Sequence, residues 1–197
     1  MIRAGSYEEV RWSSESWVFL DVGFSNKKRT CGVLIDDNDP KEMQFDEACK
    51  SIANHIRLSS RPVNLVIEAP LSVAFDKDGN PKGRKIEKQD GKTRYWYMGP
   101  GCMTMVATQY IMEKIYSAAQ NKELRLFEAF VSFKSKTDKS NHSQDVLRLR
   151  EVVKNPESYS SCIVQKQELL MDETDKLSSA FKVCGRDYNI PPVLRVP

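Results

Sequence analysis

Three short apolar runs that each end in a carboxylate constrain this chain more than any other feature of its sequence. The runs WVFLD, VNLVIE and LRLFE end in Asp21, Glu68 and Glu128. Short apolar runs bounded by polar or turn-forming residues are typical of strands buried inside a protein. The sequence therefore predicts three buried strands, each with one acidic side chain at or near its carboxyl end.

The remaining periodicity predicts a mixed α/β domain. Strands are predicted at residues 17–23, 30–36, 43–45, 63–68 and 124–129, and helices at 46–58, 103–119, 143–154 and 173–185. This order starts as a hairpin and continues as βαβ units, which predicts a five-stranded mixed sheet with helices on both faces. A right-handed crossover would place the fourth strand parallel to the first and beside it. Asp21 and Glu68 would then be neighbours at the edge where α/β sheets bind ligands.

The length of 197 residues favours a single domain. Residues 1–16 are predicted to be a polar lead-in that is partly ordered at best, and residues 17–197 are predicted to form the domain. A basic insertion spans about residues 69–100, where seven Lys or Arg residues face four Asp or Glu residues. An insertion of this length inside a domain is usually functional or disordered.

The insertion combines cations with aromatic side chains, which suits a nucleic-acid strand through phosphate contacts and base stacking. The residues predicted to make these contacts are Lys82, Arg84, Lys85, Arg94 and Trp96. A solvated charged loop whose aromatic side chains pack on the domain is the alternative interpretation.

The cysteines indicate a reducing compartment. The five cysteines are scattered, no CxxC occurs, and the chain has only two histidines. This pattern predicts reduced thiols, mostly in the core, and a cytoplasmic protein, and it does not indicate a zinc site. No run approaches the length of a membrane span, so no membrane partner is expected. His55 and His142 are predicted to lie on helix surfaces.

A second pair of acids opens the last predicted helix. Asp172 and Asp175 are three residues apart, so they would share a helix face. Together with Asp21 and Glu68 they would supply the hard oxygen ligands that Mg²⁺ prefers, as in sites where two metal ions clamp a phosphoryl group. Each acid also has a structural alternative: Asp172 as a helix N-cap, Asp175 as a first-turn charge, and the strand acids as solvated ends.

The order of these acids resembles that of the RNase H-like nucleases, and most closely the RuvC-type Holliday-junction resolvases. The segments EAP at 68–70, LFEAFVSF at 126–133 and DETDKLSSA at 172–180 are similar to the predicted RNase H-like nuclease family. The resemblance implies that Asp21, Glu68 and Asp175 are metal ligands, that Asp172 is a fourth, and that Glu128 matches the strand-five acid. The chain departs from the family at Lys176 and in the turn at 24–27, which lacks the usual glycines.

The resemblance implies a metal-dependent nuclease that hydrolyses phosphodiester bonds in DNA or RNA with two Mg²⁺ or Mn²⁺ ions. Two alternatives stay open: a catalytically silent nucleic-acid-binding or scaffold subunit, and an actin-like nucleotide-binding phosphotransferase. Resolvase-like activity would require a homodimer, because two cuts need two sites. Delivery of the substrate by a partner protein is a further option.

Overall fold

The chain forms a mixed sheet with helices on both faces, as the sequence predicts. The structure is a computed structural model that describes residues 1–13, 15–23, 29–89, 91–93, 99–131 and 139–196. Its α-helices are α1 (Phe45–Leu58), α2 (Pro100–Tyr116) and α3 (His142–Lys154). Its strands are β1 (Ile2–Ala4), β2 (Ser16–Asp21), β3 (Cys31–Ile35), β4 (Lys41–Met43), β5 (Val63–Glu68), β6 (Ser72–Phe75), β7 (Pro81–Lys82), β8 (Lys88–Gln89), β9 (Lys92–Thr93), β10 (Leu124–Phe130), β11 (Ile163–Val164), β12 (Lys176–Ser179) and β13 (Val193–Arg195).

The main sheet has the order β11-β13-β10-β5-β2-β3-β4, with β1 also paired to β10. Strands β2, β5 and β10 are parallel to one another, and β3 and β4 continue the sheet in antiparallel fashion. The predicted hairpin and the parallel pairing of the first and fourth predicted strands are therefore confirmed. The predicted count of five strands is wrong, because the described sheet has eight. The additional strands have two or three residues each, too few for a detectable period.

Alternating side chains of β2 supply both layers of the core, which explains why this strand is fully buried. Val18 and Leu20 pack with α1 and α2, whereas Trp17 and Phe19 pack with α3. A strand covered on both faces must carry apolar side chains on both of those faces. Asp21, the last residue of β2, is the exception and therefore requires a chemical explanation.

The first sixteen residues are part of the domain, which corrects the expectation of a poorly ordered lead-in. Strand β1 pairs in parallel with the first half of β10. Val10 is buried, and the backbone N–H of Trp12 donates to the carbonyl of Val153 in α3. The polar composition of this segment reflects a docked edge strand whose charges are paired with the domain.

The last predicted helix, at 173–185, is absent from the described chain. Strand β12 pairs there with β6 in antiparallel fashion, and a short 3-10 helix follows at Ala180–Cys184. Side-chain oxygens take up the turn amides before β12: Thr174 N–H donates to Asp172, and Asp172 N–H donates to Asp175. Such local bonds compete with helix formation. The basic insertion supplies β6 and β7, so this part of it is a small three-stranded sheet rather than a loop.

The other composition-based expectations are met in part. Cys31, Cys49 and Cys162 are buried and Cys184 is exposed, and no disulfide joins the cysteines of the described residues. Within the described residues no helix has both the length and the apolar character needed to cross a membrane.

We expect the Arg3–Glu9 ion pair to make docking of β1 sensitive to acid. Arg3 donates to the two Glu9 oxygens at 2.9 and 2.6 Å and holds the pKa of Glu9 at about 2. The resulting stability is complete above the ordinary pKa of glutamate and is lost as the pH falls towards 2. Glu9→Gln should lower the free energy of unfolding at pH 7 by about 1–2 kcal/mol, as measured by urea unfolding.

The matched control is Glu8→Gln, at a neighbouring exposed residue that makes no salt bridge to Arg3 within the described chain. It should leave unfolding at pH 7 nearly unchanged. The Glu9→Gln deficit should shrink as the pH is lowered from 5 to about 2.5, because Glu9 of the unfolded chain takes up a proton over that interval whereas the folded carboxylate, with its pKa of about 2, stays mostly ionised. An equal deficit throughout that interval would contradict the ionic origin.

Candidate active site

Asp21 and Glu68 lie side by side at the carboxyl ends of two parallel strands. Leu20 of β2 is paired with Ile67 of β5, so the next residues along are Asp21 and Glu68. Neighbouring strands are about 4.8 Å apart. Side chains alternate between faces, and Phe19 and Val66 pack in the α3 layer, so both acids point towards α3. The predicted juxtaposition of these two carboxylates is therefore found in the structure.

The first residue of α3 meets Asp21. His142 Nδ1 lies 2.9 Å from Asp21 Oδ2, and Asp21 is buried while the imidazole is about one-third exposed. A glycine makes this approach possible: a Cβ on Gly32, the β3 partner of Asp21, would lie 2.4 Å from the carbonyl oxygen of His142. The absence of a side chain at residue 32 thus seats the amino terminus of α3 directly on the sheet edge.

Several acids surround this imidazole. Asp21 raises the pKa of His142 above its ordinary value, burial opposes that shift, and Asp145 and Glu42 add to it. Asp145 lies three residues further along α3, is buried, and accepts a hydrogen bond from Ser140 Oγ at 2.9 Å. Glu42 lies on β4 opposite Gly32 and is half-buried. The site therefore combines one imidazole with carboxylates from three strands and a helix.

The helix that carries these residues has a defined start. Asn141 caps α3: its side chain accepts from the Gln144 N–H, and Gln144 in turn accepts from the Asn141 N–H, each at 2.9 Å. This reciprocal pair satisfies two amides at the helix start. It fixes the first turn, and with it the direction in which His142 and Asp145 project.

Asp172 and Asp175 do not share this site. They precede β12, whose last residue, Ser179, is opposite Ser72, so Asp175 lies roughly 13 Å along the strand from that end. Asp175 is buried and pairs with Lys82 at 2.8 Å, whereas Asp172 is exposed. Their predicted position beside Asp21 and Glu68 is not found in this arrangement, because the strand pairing puts them at the outer end of the smaller sheet.

Glu128 is also excluded as a metal ligand beside Asp21. It is opposite Ile67, so it points to the α1 and α2 face, away from Glu68. It is fully buried, accepts from the Leu71 N–H at 2.8 Å, and binds Arg84 through two hydrogen bonds of 2.7 and 2.8 Å. Burial raises the pKa of Glu128, and the Arg84 charge opposes that shift. Glu128 is thus part of an internal ion network.

Two of the predicted nucleic-acid contacts are engaged in ion pairs within the protein, and one of them is fully buried. Arg84 is 1 % exposed and also binds Glu87 and Ser72, so it is not available to a phosphate. Lys82 is partly exposed but is paired with Asp175. Lys85 is exposed and remains a candidate. Arg94 and Trp96 lie outside the described residues.

The sequence contains a signal for His142 and Asp145, which were not predicted as site residues. They are three residues apart and follow a capping residue, the same spacing that Asp172 and Asp175 have at 172–175. Periodicity placed His142 on a helix surface, which is correct for its exposed edge but gave no indication of Asp21 beneath it. Glu42 carried no local signal, because its position follows only from the pairing of β3 with β4.

The described residues contain no group of three or more His, Cys, Asp or Glu side chains positioned to hold a metal ion. Asp21 and His142 are in contact at 2.9 Å, Glu68 ends the neighbouring strand, and the charge of Asp145 acts on His142. Comparison with known proteins adds no assignment: no family model, no curated protein and no solved structure matches the chain.

We expect the pKa values of the two histidines to be shifted in opposite directions from the ordinary value of histidine. The pKa of His142 is raised mainly by Asp21, whereas burial lowers the pKa of His55, whose Nε2 lies 2.7 Å from Ser16 Oγ. In metal-free protein, Asp21→Asn should move the pKa of His142 back towards its ordinary value and leave His55 unchanged. NMR titration of the two imidazoles measures both, and a His142 pKa insensitive to Asp21→Asn would contradict the contact.

Removing Arg84 should be the most destabilising single change in this region. Arg84→Met leaves Glu128 and Glu87 buried without their cation, which typically costs about 3–5 kcal/mol. The matched control is Lys85→Met at the exposed neighbour, which should stay within about 0.5 kcal/mol of wild type. Urea unfolding measures both, and equal stabilities of the two variants would show that the network contributes nothing.

Proposed function

We propose that this protein is a metal-dependent nuclease with an RNase H-like domain, and that its active site comprises Asp21, Glu68, His142 and Asp145. The observation that carries the proposal is the contact of Asp21 with His142 beside Glu68, at the carboxyl ends of parallel strands. Ligand sites of α/β sheets occur at this position. A buried carboxylate paired with a perturbed imidazole is typical of a functional site.

The strand arrangement supports the fold part of the proposal. The predicted core of a hairpin, a short third strand and two further parallel strands appears as β2, β3, β4, β5 and β10, in the spatial order β10-β5-β2-β3-β4. Helices follow β4, β5 and β10. The predicted sequence of elements up to α3 is therefore present, and α3 replaces the later segment as the helix that brings the last acid to the site.

The donor set suits the proposed cofactor, two Mg²⁺ or Mn²⁺ ions. Carboxylates are the ligands these cations prefer, and an imidazole with a raised pKa can exchange its proton for a cation. Asp21, Glu68, His142 and Asp145 would hold the ions, with the Glu68 and Asp145 side chains turning towards Asp21 to complete the set. The ions would supply an activated water and stabilise the leaving oxygen.

The chain's own residues have separable tasks in this proposal. Asp21, held in place by β2 and β5, would help to hold a cation against the reacting phosphate, and His142 would hold or release a proton at Nδ1. Exposed cations near the same edge would bind the nucleic-acid backbone: Arg29 before β3, Lys41 on β4 and Lys139 before α3. They replace Lys82 and Arg84 as the candidates for phosphate contacts.

The test is a cleavage assay with Mn²⁺ and then Mg²⁺ on labelled single-stranded, duplex, hybrid and four-way substrates. Asp21→Asn and Glu68→Gln should each reduce cleavage at least about 100-fold, because each removes charge at the reacting group. Asp172→Asn is the matched control, since Asp172 is exposed and distant, and it should retain wild-type cleavage. Cleavage that survives EDTA, or that depends on Asp172 and not on Asp21, would contradict the assignment.

Binding distinguishes one of the two alternatives, the catalytically silent subunit. Nucleic-acid binding that is independent of metal, with no cleavage of any substrate, would identify a catalytically silent subunit. Loss of that binding in the triple variant Arg29→Ala, Lys41→Ala, Lys139→Ala would still locate the substrate at the same sheet edge. Retention of full binding in that variant would remove the support for this edge altogether.

A further inference from the structure

Strand β12 is an edge strand of the smaller sheet, whose order is β12-β6-β7. One side of β12 pairs with β6, and no described strand pairs with its other side. An edge strand presents unpaired N–H and C=O groups that can template the addition of another strand. Proteins usually cover or interrupt such an edge. The residues that line the outer side of β12 therefore indicate which ligand could pair with it.

The phase of the ladder identifies the outward groups. The Ala180 N–H donates to the Leu71 carbonyl at 2.9 Å, which puts these two residues at the position of a hydrogen-bonded pair, while the Leu71 N–H itself donates to Glu128. Because such pairs alternate along an antiparallel ladder, Ser178 is also bonded to β6, whereas Leu177 and Ser179 face away. Leu177 thus presents one donor and one acceptor, and Ser179 presents a donor, to the outer side of β12.

A cleft of about 590 Å³ lies along this outer side. Leu177, Ser178 and Ser179 form one wall, and the segment from Ala4 to Glu8 forms another. The volume falls within the range of about 300–1,000 Å³ that is typical of binding pockets. A wall made of three consecutive strand residues indicates that the cleft follows the edge of β12 rather than one face of it.

The charges of the cleft favour a neutral ligand backbone. Its lining includes two cations, Lys166 and Lys182, and two acids, Glu8 and Asp187. Lys182 is paired with Asp187 at 3.2 Å. The formal charges cancel, so the cleft offers no electrostatic attraction to a phosphate backbone, whereas alternating donors and acceptors match an extended peptide.

We infer that β12 binds an extended peptide segment of a partner protein, which adds as a fourth strand to the smaller sheet within this cleft. Leu177 donates one backbone hydrogen bond to a residue of that segment and accepts one from the same residue. The Ser179 N–H donates to the residue of the segment at the next hydrogen-bonded position of the ladder. Main-chain hydrogen bonds supply the affinity, and residues of the opposite wall, such as Ser6, contact its side chains. This site is separate from the carboxylate edge and does not depend on the proposed nuclease activity.

The test uses amide hydrogen exchange and NMR titration of the full chain with the strand-forming peptide acetyl-TVTVT-amide, at up to about 1 mM. In the free protein, the Leu177 and Ser179 amides should exchange rapidly and the Ser178 amide slowly. The peptide should slow exchange at Leu177 and Ser179 and leave Ser178 unchanged. The same peptide N-methylated at every amide should bind at least about tenfold more weakly, the equivalent of one net hydrogen bond.

Two variants complete the experiment. Ser6→Trp fills the cleft from the wall opposite β12 and should abolish the peptide effect, and Ser6→Ala is the matched control that should retain it. Slow exchange of Leu177 and Ser179 in the free protein would overturn the inference, since the edge would already be covered. Unchanged exchange at the highest peptide concentration, or equal binding to Ser6→Trp, would overturn it as well.

Discussion

The ion network of Arg84 with Glu128 and Glu87 joins the parts of the chain that meet behind the carboxylate edge. All three side chains are about 1 % exposed. Burial alone would lower the pKa of Arg84, but the charges and hydrogen bonds of Glu128 and Glu87 more than offset this, and the pKa is raised. Removing one member leaves an uncompensated charge in the interior, so the stability of each of the three residues depends on the other two.

This network also fixes the chain just after Glu68. Glu128 belongs to β10 and accepts from the Leu71 N–H, while Arg84 donates to Ser72 Oγ at 2.9 Å. The turn that follows β5 is therefore held from the α1 and α2 face of the sheet, whereas Glu68 points to the α3 face. Glu128 and Arg84, buried on one face of the sheet, thus hold the turn that follows Glu68, an acid on the other face. The basic insertion is anchored at the same turn.

The sequence was most informative where a single strand or helix carried its own pattern. The apolar runs of β2 and β5 predicted buried strands, and the crossover rule placed Asp21 beside Glu68. The helices α1 to α3 were found within about three residues of their bounds. The residues 173–185 failed because strand pairing with β6 overrode a helical spacing, a tertiary effect that local propensity does not contain.

The sequence predicted the acidic character of the candidate site but not all of the residues that form it. An acid at the start of a helix was expected, and the chain offers two segments with that spacing, at 142–145 and at 172–175. Only the pairing of β2 with β3, and the space left by Gly32, determines which one reaches Asp21. The identity of Arg84 as an internal cation was equally hidden, because its partners are 3 and 44 residues away along the chain.

The charge balance at the sheet edge explains why the histidine belongs to the site. Asp21, Asp145 and Glu42 all act on His142 and raise its pKa, so the acids favour the protonated imidazole beside them. Carboxylates that gather without a cation repel one another, and the cost is relieved by a proton or by a metal ion. A protonated His142 would provide one form of that relief, and a divalent cation would provide the other. The nuclease that we propose would use the second form, because metal ions at this edge would also stabilise the charge of a phosphodiester.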